Sequence, residues 1–290
     1  MTRAETRDEV LVVTGAGGMG EAIVRRIGSG RRVLLADHSQ AALDRTVAAL
    51  AESGYDVTAM VTDVSDRASV DRLAEAGAAA GRLAAVVHTA GVSPATASTE
   101  QMIAVDLVGT AHVIDAFEQV AVPGMALVCI ASMAGHYARL SPEEERALAT
   151  APAADLAGLP AVQALDTPAM AYVLAKRGNQ VRVEAAALAW NRLGARVNTV
   201  SPGVISTAMA RAEAEGETGV SMLGMLEACG IGRMGSTGEL AEAVAYLTGV
   251  GSRYVTGTDL LIDGGQAAWI RWHMPRSGAG AHAGASRRST

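Results

Sequence analysis

Tyr172 and Lys176 stand four residues apart in the stretch "AMAYVLAKRG". Lys176 is the only lysine in a chain of 290 residues; the other 23 fixed cations are arginines. The surrounding segment reads as one helix, with Thr167 as N-cap, Pro168 at the first helical position and few breakers before Gly194. Residues at i and i+4 share a helix face. With five tyrosines and one lysine, chance gives this spacing only about once in sixty. A solvated surface pair is the plain alternative, but it supplies no reason for lysine in an arginine-rich chain. An ammonium is a compact charge with rotatable donors, whereas a guanidinium is a broad planar fork. Placed beside a phenol, the ammonium favours phenolate and brings the hydroxyl towards the range of a general acid–base catalyst.

Such a pair needs a scaffold and a partner reagent. "VVTGAGGMGEAI" sets Gly15, Gly17 and Gly20 at G-x-G-x-x-G spacing, directly after an apolar run and at the opening of a helix. In that context the glycines permit a tight turn, close approach of a pyrophosphate, and helix-on-strand packing. Gly18 and Met19 lie in the same turn, and free amides at the helix N-terminus favour phosphate there. Asp37 ends the next apolar run, "RVLLAD", about twenty residues on, where a carboxylate accepts ribose hydroxyls and repels a 2′-phosphate. A helix-start role before Ser39 is its bland alternative. The expected cofactor is NAD, and Lys176 can donate to the nicotinamide ribose as well.

The elements that must position these residues alternate along the whole chain. Short apolar runs at 10–15, 32–37, 56–63, 83–91, 125–132, 195–203 and 258–265 are separated by amphipathic stretches. This predicts an α/β fold: a doubly wound parallel sheet of about seven strands with helices on both faces. No linker breaks the pattern, so residues 1–276 read as one Rossmann-type catalytic domain, with 277–290 a polar, disordered tail. Residues 136–167 stand outside the alternation as a helical insert whose "SPEEE" is a capping box. Aromatics are only 3% of residues, so the core must be aliphatic. A net charge of −6 without a basic stripe argues against nucleic acid. Cys129 and Cys229 lack metal-ligand spacing and read as reduced packing residues, and no metal site is expected. Without a signal-like or membrane-spanning apolar run, a cytoplasmic protein with no membrane association is expected.

With these residues in view, the chain resembles the single-domain branch of the short-chain dehydrogenase/reductase family over about residues 8–270. The likeness rests on the glycine turn, "TDV" at 62–64, "TAG" at 89–91, "IASMAG" at 130–135, "YVLAK", "NTVSPGVIST" at 198–207 and "IDGG" at 262–265. The resemblance implies that Tyr172 is the catalytic acid–base, Lys176 its partner and Ser132 the holder of the substrate oxygen. It also implies that Asp63 and Val64 contact adenine, that Ala90 and Gly91 line the cofactor cleft, and that Pro202, Gly203, Val204 and Thr207 grip the nicotinamide. The family often assembles as dimers or tetramers, so a homotetramer or homodimer is expected.

Several departures stand out. The glycine turn is one residue shorter than the usual T-G-x-x-x-G-x-G. His88 occupies a position where the family often has Asn and reads as a strand-end residue. Asp106, in "VDLVGT", stands where the family's fourth catalytic residue is usually Asn, and it adds a negative charge near the proton relay. Ser132 and Tyr172 are forty residues apart, the excess being the 136–167 insert. That insert is similar to one in the 3α-hydroxysteroid dehydrogenase/carbonyl reductase subgroup, where it serves subunit contacts; a surface decoration over the active-site rim is the alternative. Residues 204–236, with Met209, Met222, Leu223, Met225 and Leu226, suggest an apolar pocket for a small, mainly hydrophobic alcohol or ketone, a steroid-like one among the candidates. The resulting expectation is an NAD-dependent oxidoreductase acting on CH–OH groups. A non-enzymatic NAD(H)-binding sensor on the same fold is the alternative, and an epimerase or dehydratase needs a larger C-terminal part.

Overall fold

The computed structural model describes residues 9–207, 210–211, 214, 219–229 and 231–274. The expectations for Met209 and for 277–290 lie outside those residues. Seven parallel strands form the sheet: β1 (Glu9–Thr14), β2 (Arg32–Asp37), β3 (Asp56–Val61), β4 (Arg82–His88), β5 (Ala126–Ile130), β6 (Arg196–Pro202) and β7 (Asp259–Ile262). Their order is β3-β2-β1-β4-β5-β6-β7. Sequence order reverses between β1 and β4, and a crevice at the carboxyl ends of strands belongs at such a switch point.

The strand pattern explains the two-sided cover. Every residue of β1 is buried. Leu11 and Val13 point to one core with α1 (Gly18–Ile27), α2 (Gln40–Glu52) and the helix Thr237–Thr248. Val10 and Val12 point to the other, with Val70 and Leu73 of α3 (Arg67–Ala80), Phe117, and Val183 and Trp190. A period of two, apolar at both phases, is what a sheet covered on both faces requires. The fold is thus the doubly wound Rossmann type that the alternation predicted.

Caps place the helices where the sequence indicated. The Ser39 hydroxyl accepts from the Ala42 amide at 3.3 Å, and Thr167 does the same for Met170 at 3.3 Å. Pro168 opens the long helix α8, which runs to Arg192. Between β4 and β5 the chain forms α4 (Thr99–Met102), a π-helical segment Ile103–Gly109, and α5 (Thr110–Gln119). Such a widened turn is uncommon and often marks a functional site.

The insert is a packed layer. Its first helix, α6 (Pro142–Thr150), opens with the expected capping box: Ser141 accepts from Glu144 N at 3.2 Å, and Glu144 Oε2 accepts from Ser141 N at 2.7 Å. A 3-10 turn (Ala153–Gly158) and a short helix α7 (Pro160–Gln163) follow. Leu148 and Leu156 are fully buried with Met102, Ile103, Leu107, Ala171 and Leu174, a third core. Burying each leucine contributes about 1.5–3 kcal/mol. Arg177 Nε pairs with Glu145 at 2.7 Å, and Arg182 Nη1 donates to the Ala151 carbonyl at 2.8 Å. These contacts clamp the insert onto α8. Among the described residues no helix is long and apolar enough to cross a membrane.

Candidate active site

The residues singled out in the sequence gather at the carboxyl ends of the strands. Gly15 leaves β1 with φ +94, and a Cβ there would run into Thr89 Oγ1. At Gly20 a Cβ would run into the Gly15 carbonyl oxygen. Both positions are therefore demanded by the turn itself. Gly17 differs: it caps α1 in extended backbone, and an added Cβ would have no atom within 4 Å. That open space beside a helix N-terminus is the one feature of the turn that suits a phosphate rather than the chain. Gly18 begins α1, and Met19 packs against the core below.

Asp37 closes β2 and is already engaged. Its Oδ2 accepts from Ala16 N at 2.7 Å and its Oδ1 from Ser39 N at 2.9 Å, so it ties the glycine turn to the start of α2. An ionised carboxylate has about four lone-pair positions, which leaves acceptors for further hydroxyls. Asp63 follows β3 and accepts from the Ser65 amide and hydroxyl at 2.9 and 2.7 Å. Val64 is buried, and its carbonyl receives His112 Nδ1 at 3.1 Å. Ala90 and Gly91 follow β4. On the far side, Pro202 ends β6, Gly203 N donates to the Ile262 carbonyl at 3.2 Å, and Val204 N donates to Gln266 Oε1 at 3.1 Å. Thr207 Oγ1 accepts from Ala210 N at 3.1 Å.

Ser132, buried just after β5, accepts from Ala134 N at 3.1 Å and opens the 3-10 turn Met133–Tyr137, against which α8 packs. On α8, Tyr172 is half-buried and Lys176 is buried. Lys176 Nζ lies 5.3 Å from the centre of the Tyr172 ring, on the same side of the helix. The same Nζ is 3.0 Å from Asp106 Oδ2. Asp106 is wholly buried in the π-helical segment, and its Oδ1 accepts from Val92 N at 2.8 Å. Burial alone would lower the Lys176 ammonium, but the Asp106 carboxylate, with Tyr172 second, overrides it and holds that pKa above the ordinary lysine value. Gly91 lies against this pair, where a Cβ would be 3.2 Å from Asp106 Oδ1 and 3.5 Å from Lys176 Nζ.

Three features had no clear signal in the sequence. The first is the π-helical turn that brings Asp106 onto Lys176. The second is the role of His88, whose Nδ1 meets Thr14 Oγ1 at 2.7 Å and whose Nε2 meets Thr110 Oγ1 at 3.1 Å. Thr110 in turn donates to the Asp106 carbonyl at 2.9 Å. Burial, helped by Lys176, pushes the His88 pKa down to about 3, so it is a neutral strut between β1, β4 and α5. The third is Gln180, whose Nε2 donates to the Ser132 carbonyl at 3.3 Å and to Ser201 Oγ at 2.9 Å, while its Oε1 accepts from Arg177. It supports the backbone of Ser132 from one turn beyond Lys176.

The described residues noted in the 204–236 stretch differ in exposure. Leu226 is buried, Leu223 is exposed, and Met222 and Met225 are intermediate on the helix Gly219–Ala228. Arg233 is committed to Glu239, 2.7 Å away, on the exterior.

A parallel sheet with its crevice at the β1/β4 switch point, a glycine turn and a Tyr–Lys pair on one helix define a Rossmann-type dinucleotide oxidoreductase class. Residues 14–267 match a family model described as enoyl-(acyl carrier protein) reductase. A short-chain dehydrogenase/reductase of Alternaria brassicicola, bsc3, is 38% identical over 275 residues, covering 90% of this chain and 96% of that protein. Galactitol 2-dehydrogenase (L-tagatose-forming) of Cereibacter sphaeroides is 30% identical over 273 residues, covering 89% and 94%. Among solved structures, an actinorhodin polyketide ketoreductase variant with NADPH shares 26% identity at a TM-score of 0.71, covering 92% and 98%. The chain belongs to the short-chain dehydrogenase/reductase family, an oxidoreductase family that uses a nicotinamide cofactor.

Proposed function

We propose that the protein transfers hydride between NAD and a mainly hydrophobic secondary alcohol or ketone, with Tyr172 as the proton donor and acceptor. The observation that carries this reading is Lys176, buried, paired and held 5.3 Å over the Tyr172 ring. When bound, the nicotinamide supplies or accepts the hydride; the chain supplies orientation and the proton.

The residues present suit that cofactor. The open face of Gly17 admits a phosphate, and the remaining acceptor capacity of Asp37 suits ribose hydroxyls while its charge opposes a 2′-phosphate. NAD is therefore preferred, even though the ketoreductase neighbour is described with NADPH. In this reading, following the family resemblance, Asp63 and Val64 would border the adenine, Ala90 and Gly91 would line the cleft, and Pro202, Gly203, Val204 and Thr207 would hold the carboxamide. Ser132 uses its oxygen to accept from Ala134, which leaves its hydroxyl proton to polarise the substrate oxygen. Tyr172 then donates to that oxygen during reduction, or takes its proton during oxidation. Holding the reacting groups in place is where the protein accelerates the step. The names of two relatives, a galactitol dehydrogenase and a polyketide ketoreductase, place their chemistry at an alcohol or ketone carbon. A homodimer or homotetramer in the cytoplasm completes the reading.

The test is direct. Purified protein is mixed with NAD+ or NADP+ and a panel of hydrophobic secondary alcohols, following nicotinamide absorbance. NADH formation that is lost in Tyr172→Phe is expected. Cofactor binding without turnover for any alcohol or ketone would favour the sensor, and full turnover in Tyr172→Phe would remove the proposed acid–base.

A further inference from the structure

Asp106 stands where a neutral amide would leave Lys176 an uncompensated cation. The geometry calls for the carboxylate. Its Oδ1 accepts a hydrogen bond from the Val92 amide at 2.8 Å, and its Oδ2 forms an ion pair with the Lys176 ammonium at 3.0 Å. A carboxylate accepts at both oxygens, whereas an amide must turn its NH2 towards one of them. The π-helical turn, tied by the bond from Thr110 to the Asp106 carbonyl, holds the side chain in that bridging position.

The charge around Lys176 is simple. Tyr172 faces it from α8, His88 from β4 and Cys129 from β5. His88, with its pKa pushed down to about 3, is neutral at working pH. Cys129, pushed up to about 12 by burial, remains a thiol. Gly91 contributes only backbone. Among the described residues, then, Asp106 is the one formal charge set against the ammonium. Both groups are withdrawn from water, so screening is slight and a carboxylate in contact removes much of the cation's field from the phenol behind it.

We propose that Asp106 is a built-in counter-ion of Lys176 that weakens the ammonium's pull on the Tyr172 hydroxyl, and so favours the form of the site that donates a proton to a ketone oxygen. Asp106 is thus a positioning and charge-setting residue that acts through Lys176. This rests on the reading of Tyr172 as the acid–base.

The experiment compares native protein with Asp106→Asn under conditions where hydride transfer limits the rate. An anion near the phenol's partner disfavours a second anion, so removing it should ease loss of the phenolic proton. The limb along which alcohol oxidation rises, and the limb along which ketone reduction falls, should both move to lower pH. The expected displacement is about one pH unit, a tenfold change in rate at a fixed pH on the limb. A folded variant whose limbs do not move, or whose rate falls equally at every pH, overturns the proposal. A second variant separates charge from packing. Asp106→Glu keeps the anion, so its limbs should stay close to those of the native protein, and a displacement as large as that of Asp106→Asn overturns the proposal. The underlying reading fails separately, if Tyr172→Phe retains turnover.

Discussion

The carboxylate of Asp37 accepts a hydrogen bond from the backbone amide of Ala16 at 2.7 Å, across from the end of β2 to the glycine turn after β1. A residue expected to serve the cofactor thus also holds the loop that would cradle its phosphates. Asp37→Asn keeps one acceptor but cannot satisfy both Ala16 N and Ser39 N. Its expected effects are a loss of about 1–2 kcal/mol in urea unfolding and a fall of about tenfold or more in the preference for NAD over NADP. Calorimetric titration with each dinucleotide checks the second. An unchanged preference would leave Asp37 with the loop-anchoring role alone.

The glycine turn separates shape from function by position. Gly20→Ala would drive a methyl group into the Gly15 carbonyl and should strongly destabilise the fold. Gly17→Ala meets nothing within 4 Å, so stability should change by less than about 1 kcal/mol. Its methyl group would nevertheless fill the approach to the helix N-terminus. Dinucleotide affinity should fall about tenfold or more while the melting temperature barely moves, a split that differential scanning calorimetry with equilibrium binding would reveal.

Lys176 answers for two partners, and its substitutions should separate them. Lys176→Arg retains the charge but not the compact donor geometry, and most turnover should be lost. Lys176→Met strands the Asp106 carboxylate in a site with no solvent exposure. Breaking one side of a buried pair costs about 3–5 kcal/mol. Adding Asp106→Asn to Lys176→Met should recover a good part of that loss in denaturant unfolding. Additive losses would mean that the two side chains are not energetically coupled.

His88 makes stability depend on acid. Its pKa falls from an ordinary 6.5 to about 3 in the fold, through burial first and Lys176 second. Between those values the unfolded chain binds a proton that the native chain refuses. Its contribution is therefore fully present above about pH 6.5 and is lost progressively as pH falls towards 3, with a ceiling of roughly 4–5 kcal/mol. His88→Asn should show a shallower decline of the urea midpoint across that interval. An identical slope would assign the acid sensitivity to other groups.

Much of this arrangement was legible in the residues. The alternation of apolar runs marked all seven strands, and Ser39, Ser141, Thr167 and Pro168 marked helix starts that the structure keeps. The i, i+4 spacing placed Tyr172 and Lys176 on one side of α8, as found. The insert was visible as an interruption, but its burial was not: Leu148 and Leu156 face residues of α8 and of the 99–109 region that are remote in sequence or unrecognisable as neighbours.

Local chemistry determined what the sequence could announce by itself: strand and helix periods, caps, glycines that no other residue replaces, and a Tyr–Lys pair one turn apart. These depend on neighbours within a few residues, so their signal is written in spacing. The ion pair of Lys176 with Asp106, the double anchoring of Asp37, and the struts made by His88 and Gln180 were decided by the tertiary structure. Each joins groups 21 to 74 positions apart, except for contacts inside one helix or turn, and spans separate strands or helices. Whether a carboxylate meets an ammonium, an amide or water depends on how the sheet and helices pack, and no periodicity in the chain records that.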